Sequence, residues 1–277
     1  MEVQSFAENL LFTTVRIEIY SSNNVGVGTG FIFLYSRDQR GQASFIVTNK
    51  HVLLGADTIK FFFLESDGEK PILGKPFPFH IDEISHITFY HPNPDIDIAI
   101  VPLSPLLKTK EKEKPEVKPF LTGIEDKLIP EKEDIYDFDA LEDIVFVGYP
   151  YGIYDEKNLL PVIRRGITAT PVYVDYNNKP VFLIDASVFP GSSGSPVFII
   201  NKGSFSPKTG GTIFSDRIAF LGVIAKVFFR EESGNIEFSE IPTFIQPTFK
   251  MKYMLNLGVV YKAHTVIEAV EDCLSKI

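Results

Sequence analysis

Phe189-Pro-Gly-Ser-Ser-Gly-Ser-Pro-Val-Phe198 is the stretch on which the reading of this chain turns. Gly191 and Gly194 bracket Ser192 and Ser193, with Ser195 following. Small residues let the backbone turn tightly and aim successive amide N–H groups at one point. Such a nest can hold an oxyanion beside a serine hydroxyl. Clusters of glycine and serine are ordinarily turns and nothing more, so the stretch acquires chemical meaning only with partners elsewhere in the chain.

Two segments supply candidates. Phe45-Ile-Val-Thr-Asn-Lys-His51 places a histidine directly after an apolar, strand-like run. Asp95-Ile-Asp97-Ile-Ala-Ile-Val101 places a carboxylate inside another. A buried carboxylate is costly unless paired. A histidine Nδ1–H is one such partner, and that bond would fix the tautomer a serine base needs.

Read together, in the order His51, Asp97, Ser193 and with spacings of 97 − 51 = 46 and 193 − 97 = 96 residues, the segments resemble the trypsin/chymotrypsin superfamily of serine peptidases. The bacterial HtrA-like branch is the most similar. Thr29-Gly-Phe-Ile-Phe33 resembles its glycine-led strand before the histidine, and Val147-Gly-Tyr-Pro-Tyr-Gly152, Arg165-Gly-Ile-Thr-Ala169 and Ile184-Asp-Ala-Ser187 resemble strands of its second barrel. The likeness covers about residues 25–230. It implies Ser193 as nucleophile, His51 as general base and Asp97 as the group orienting it, with the N–H groups of Gly191 and Ser193 as oxyanion hole. Asp95 rivals Asp97, and Ser192 and Ser195 rival Ser193. The family pattern, Asp-Ile-Ala in one case and Gly on both sides in the other, favours Asp97 and Ser193. By motif position Ser187 and Val188 fall at the base of a substrate pocket and Ile224 and Val227 on its wall. The substrate would add as an extended strand along Ala225-Lys226-Val227. With no acidic residue among these, cleavage after small or medium aliphatic residues is expected. Lys226 is expected to point away from the pocket.

Outward from these motifs the chain reads as strands. Alternation or apolar runs predict them at 11–20, 26–35, 43–49, 58–64, 84–91 and 96–102, then at 143–149, 160–166, 167–174, 180–185, 195–200 and 218–229. Two sets of six give the expected all-β fold: two six-stranded antiparallel barrels, over residues 1–107 and 143–262. Lys108–Lys118, a mixed-charge run, opens a solvated linker over 108–142. Thr265-Val-Ile-Glu268 fits a capping box, and Val266, Ile267, Val270, Leu274 and Ile277 a stripe, predicting an amphipathic C-terminal helix over 263–277. Cys273 within it reads as inert.

Composition narrows the classes. Aromatic residues are plentiful, 25 Phe and 11 Tyr without Trp, which favours strands. A net charge of −9, from 27 basic and 36 acidic residues, argues against nucleic acid and anionic lipid as partners. One cysteine allows no internal disulfide, the first residues lack signal-peptide character, and no apolar run would span a membrane, so a cytoplasmic setting is expected. His80, His86, His91 and His264 lack metal-ligand spacing, and no cofactor is implied.

The chain departs from the family where activation is concerned. Members activated by cleavage pair a new N-terminus with an Asp just before the serine. Here that position is Ser192, so such an ion pair is not expected. The 84 residues after Ser193 read as strands and one helix, so no PDZ domain is expected among them. The expectation is a stand-alone serine endopeptidase. The alternatives are a latent protease switched on by a regulatory protein partner, and a catalytically impaired protease fold that binds peptides.

Overall fold

The computed structural model describes residues 1–22, 24–36, 41–235 and 248–277, with side chains of 229–235 and 248–254 left aside. In chain order the elements are α1 (Phe6–Thr13), β1 (Thr14–Ser21), β2 (Asn24–Tyr35), β3 (Ala43–Thr48), α2 (Lys50–Leu53), β4 (Thr58–Ser66), β5 (Pro71–Asp82), β6 (Phe89–Tyr90), β7 (Ala99–Pro102), α3 (Leu103–Glu113), β8 (Lys118–Phe120), β9 (Ile124–Glu125), α4 (Lys132–Ile135), β10 (Asp143–Gly148), β11 (Val162–Thr168), β12 (Val181–Asp185), β13 (Pro196–Asn201), β14 (Arg217–Asn235), β15 (Thr248–Lys262) and α5 (His264–Lys276).

The C-terminal half is a closed six-stranded barrel in the order β10-β11-β12-β15-β14-β13. Its membership differs from the expected set. Residues 160–174 contribute one strand, β11, because Gly166 lies inside it, paired with Ile144, and does not end it. Past Thr168 the chain leaves the sheet at Thr170-Pro171, and β15 supplies the sixth strand. The N-terminal half is not the six-stranded barrel expected. It is a nine-stranded sheet along β5-β4-β1-β2-β3-β7-β6, with β8 added on β4 and β9 on β2. β5 escapes the sequence pattern because Pro71, Pro76 and Pro78 interrupt it. As a terminal strand it tolerates prolines that a central strand would not. Its Phe77 and Phe79 still alternate inward.

Three further expectations need correction. Residues 11–13 are helical: Ser5 accepts the Glu8 N–H and Glu8 accepts the Ser5 N–H, a capping box that starts α1. The mixed-charge run is no open loop, since Leu103–Glu113 is helical and its Leu106 and Leu107 pack on the first-half core. β8 and β9 then return to the sheet. At α5 the stripe buries Val266, Ile267 and Val270, while Ile277 is exposed. Its capping box is absent: Thr265 Oγ1 donates to the Lys262 C=O at 2.8 Å, and Glu268 bonds elsewhere.

The phenylalanines join the two halves. Phe31 and Phe33 of β2 meet Phe220 of β14, which meets Phe198 of β13, with ring centroids 5.4–6.3 Å apart. Phe6 of α1 packs edge-on against Phe198. Such aromatic contacts bury large areas and set geometry as well. The continuous core they form also takes in α5, so one apolar mass supports both walls of the site.

Candidate active site

His51 sits on α2, one turn begun by Asn49 after β3 ends. Asp97 lies just before β7, which pairs with β3, so adjacent strands carry both residues to one edge. Asp97 Oδ2 is 2.6 Å from His51 Nδ1, and Oδ1 accepts the His51 backbone N–H at 2.9 Å. The Asp97 C=O in turn accepts from Asn49 Nδ2 at 2.8 Å. The carboxylate therefore fixes both the backbone and the ring of His51. The Asp97 side chain is 13% exposed and that of His51 48%, leaving the ring's far side open. Asp95, by contrast, is exposed, and its C=O accepts from the Tyr261 hydroxyl at 3.0 Å.

Of the three serines, Ser192 and Ser195 are buried, with Oγ atoms lacking partners, and Ser193 is partly exposed. The backbone around Ser193 can be followed group by group. Among carbonyls, Phe189 accepts from Ser192 N–H (2.9 Å), Pro190 from Tyr151 N–H (2.6 Å), Ser192 from Ser195 N–H (3.0 Å) and Ser193 from Thr29 N–H (2.9 Å). Gly191 C=O accepts from Thr29 Oγ1 at 2.8 Å. The Gly194 N–H donates to Ile224 C=O at 2.8 Å. Among the described residues, Ser192 and Gly194 of the 191–194 turn have paired N–H groups and Gly191 and Ser193 do not; the Phe189 N–H, before the turn, is also without a partner. Buried N–H groups are nearly always paired; these two, on half-buried Gly191 and on Ser193 itself, are free to receive an acceptor beside the Ser193 side chain.

Glycine is required at both ends of this loop. Gly191 has φ +88°, and a Cβ there would stand 2.4 Å from the Tyr149 oxygen. Gly194 has φ +91°, and its Cβ would lie 1.8 Å from the Thr29 oxygen and 2.6 Å from Thr48 Oγ1. Thr48 Oγ1 itself donates to the Thr29 C=O at 2.7 Å. The serine loop thus packs against Thr29 and Thr48, and His51 follows three residues later.

The expected pocket residues divide. Val188 and Ile224 belong to the barrel core, and Ala225 is buried as well. Ser187 and Val227 are half-buried, and Lys226 is exposed. Gly258 of β15, which sequence reading did not single out, pairs with Val227 and packs on Val188. β13 pairs with β14 only as far as Val223. Beyond Ile224, no described backbone group other than β15 bonds to β14.

Two supports were also missed. Phe189 stacks on Tyr151 (5.3 Å) and also carries the Arg164 guanidinium over its ring (4.9 Å). His91 Nδ1 accepts the Asn93 N–H at 3.0 Å, so the ring donates from Nε2 to Glu268 of α5 at 2.9 Å. This fastens the Asp97 segment to the C-terminal helix, and the Tyr261 hydroxyl on the Asp95 C=O ties it to β15. Among the described residues no group of three or more His, Cys, Asp or Glu could hold a metal ion, and no helix is long and apolar enough to cross a membrane.

The fold and this arrangement define a chymotrypsin-like architecture. The trypsin-like peptidase domain model matches residues 28–205, well over half the sequence, and the chain belongs to that family. No curated protein sequence matches it significantly. Solved structures similar to it include the inactivated protease paralogue S-I1 of the scabies mite (14% identity, 97% of each chain covered, TM-score 0.47). A serine endoprotease from Yersinia pestis matches at 16% identity, covering 98% of this chain and 67% of that one, with TM-score 0.44. A thermostable serine protease, AL20, from an extremophilic microorganism matches at 15% identity, covering 94% and 96%, with TM-score 0.48. At these identities the function must be argued from the site itself.

Proposed function

We propose that this protein is a serine endopeptidase in which Ser193 attacks the scissile carbonyl, His51 takes its proton and returns it to the leaving amine, and Asp97 holds the imidazole and stabilises its charged form. The observation that carries this reading is the pair of free N–H groups at Gly191 and Ser193. A tetrahedral intermediate places a full negative charge on the former carbonyl oxygen, and two preorganised donors there lower the barrier most. The Asp97–His51 bond supports the same reading independently, since it fixes Nδ1 as donor and leaves Nε2 to act as base.

Substrate binds as an extended strand on the free edge of β14, from Ala225 through Lys226 to Val227. Antiparallel pairing puts residues N-terminal to the scissile bond alongside increasing numbers of β14. The first of these side chains falls against half-buried Ser187 and Val227, with Val188 and Gly258 beside them. The bulk of Val227 and the lack of charge among these residues favour Ala, Val or Leu over Arg or Lys. Lys226, exposed, lies apart from them.

A fluorophosphonate probe tests the core of the proposal. Labelling of the folded protein that disappears in Ser193→Ala is the expected result, and a folded wild type that never labels refutes it. A peptide library then reads this contact, where dominant cleavage after Arg or Lys would refute the pocket assignment.

A further inference from the structure

Along the open edge of β14 the side chains divide between two faces. Val227 pairs with Gly258 and packs on the barrel core, which also holds Val188. Lys226 pairs with Val259, which packs instead on the core joining the two halves. A register shift between Ile224 and Lys226 leaves Ala225 without an opposite on β15, and Ala225 belongs to that joining core as well. Tyr261, two residues beyond Val259 and so on its face, donates its hydroxyl to the Asp95 C=O. Lys226 therefore emerges on the face turned to the N-terminal half, the side from which His51 and Asp97 come.

Lys226 is exposed, and among the described residues its ammonium has no hydrogen bond and no ion pair. On one flank stands Val259, which offers no counter-charge. The other flank is the open edge. Lysine on an edge strand is a common guard against edge-to-edge pairing, but this edge is the one a substrate strand takes up. Successive side chains of an extended strand point to opposite faces. The residue just before the scissile bond falls against Val227 and Val188, on the barrel-core face. The residue before that one points to the other face, that of Lys226. Directly opposed residues of an antiparallel pair have Cβ atoms about 5 Å apart, close enough for opposite charges to attract.

We infer that Lys226 selects an acidic side chain, Glu or Asp, at the second residue before the scissile bond. This rests on the peptidase reading above and deepens it: one face of the bound strand is read for apolar bulk and the other for negative charge. The pair lies at the surface, so its effect is modest and is screened by salt.

The test is hydrolysis of peptides that differ only at that second residue, which is Glu, Gln or Lys, with the cleaved bond confirmed by mass spectrometry. For wild type, kcat/KM with Glu should exceed that with Gln by about fivefold, the upper range for an exposed pair of opposite charges, and Lys should be poorest. The Glu-to-Gln ratio should approach one in about 1 M NaCl, where the Debye length is about 3 Å. Lys226→Ala should bring the ratio to about one at low salt, and Lys226→Glu should invert the order, so that Lys is favoured. Circular dichroism checks that both variants fold. The same exchange of Glu for Gln at the third residue before the bond, which faces the barrel core, should not depend on residue 226. A wild type that cleaves the Glu and Gln peptides equally, or a preference that survives both substitutions, overturns the inference alone and leaves Lys226 as an edge guard. An equal preference at the third residue, lost with the same substitutions, also overturns it, because the lysine would then act as a general field and not through one face. A folded wild type that neither labels with fluorophosphonate nor hydrolyses any of the peptides overturns the peptidase reading, and this inference with it.

Discussion

The two halves of the molecule hold their shares of the site by different means. The N-terminal sheet delivers His51 through a carboxylate: both Asp97 oxygens are occupied, one by the ring and one by the backbone of the same histidine. The C-terminal barrel delivers Ser193 through main-chain hydrogen bonds and two glycines at positive φ, with one threonine hydroxyl from across the junction. One half specifies chemistry by residue identity, and the other specifies geometry by leaving two N–H groups unpaired. Substitutions in the first should therefore abolish a role, and those in the second should distort a shape.

The sharpest break in that contrast is removal of the reacting groups themselves. Ser193→Ala and His51→Ala should each lower kcat by about 10⁶-fold, the scale seen when a nucleophile or its base is lost from such a unit. Ser192→Ala and Ser195→Ala, at buried hydroxyls without partners, should leave the rate within about tenfold. Steady-state hydrolysis of one peptide by the four variants decides it, and equal damage at Ser195 would mean the wrong serine has been assigned.

Next comes the carboxylate. Asp97→Asn should cost about 10⁴-fold in kcat, because an amide facing Nδ1 favours the wrong tautomer. Asp95→Asn should cost less than about tenfold, since its side chain is exposed and its tie to the fold runs through its backbone carbonyl. Reversal of that order in kcat/KM would assign the orienting role to Asp95.

The geometric half breaks differently. Gly194→Ala forces a Cβ to within 1.8 Å of the Thr29 oxygen at a residue with φ +91°, so it should lower stability by at least about 3 kcal/mol. Gly203→Ala has a similar φ, +80°, but open space around it, and should cost about 1 kcal/mol, the backbone strain alone. Denaturant unfolding of both separates strain from steric conflict. Equal losses would show that the serine loop does not depend on close approach to Thr29.

How far these halves were legible beforehand follows the same division. Residue identities with a chemical role, His51, Asp97 and the Gly-Ser stretch at 191–194, stood out because their types and order are restrictive. β2, β3, β10, β12 and β13 were legible because each is a short apolar or alternating run between turns. The terminal strand of the first sheet, β5, was hidden by its prolines, and β15 by Gly258 and the polar residues before it. Closure was hidden as well, because the strands of the N-terminal sheet read no differently from those of the barrel, and pairing is a non-local property. Thr29 was visible only as part of a strand motif. Nothing in its surroundings along the chain indicates that its hydroxyl meets a carbonyl 162 residues away.

The smallest effect concerns what lies behind the histidine side. α5 is fastened to the Asp97 segment by Glu268, which accepts from His91 Nε2, and by apolar packing that includes Cys273. Burial pushes the Cys273 thiol up to a pKa of about 11. At pH 7 roughly one thiol in 10⁴ is then ionised, compared with a few per cent for an exposed cysteine. Because the raised value suppresses the reactive thiolate, iodoacetamide should label native protein very slowly at pH 7 and faster as pH rises towards 11. Denatured protein should label at once. Glu268→Ala leaves the His91 Nε2–H without its acceptor, at a cost of about 1 kcal/mol. If α5 opens as a unit from that contact, the labelling rate at pH 7 should rise by about fivefold, the Boltzmann factor for that energy. Peptide hydrolysis should change by less than about threefold, because Asp97 keeps both of its bonds to His51. Faster labelling with unchanged hydrolysis shows that the helix braces the sheet without setting the chemistry. A matching fall in kcat would place α5 among the determinants of His51 geometry, on the same footing as Asp97.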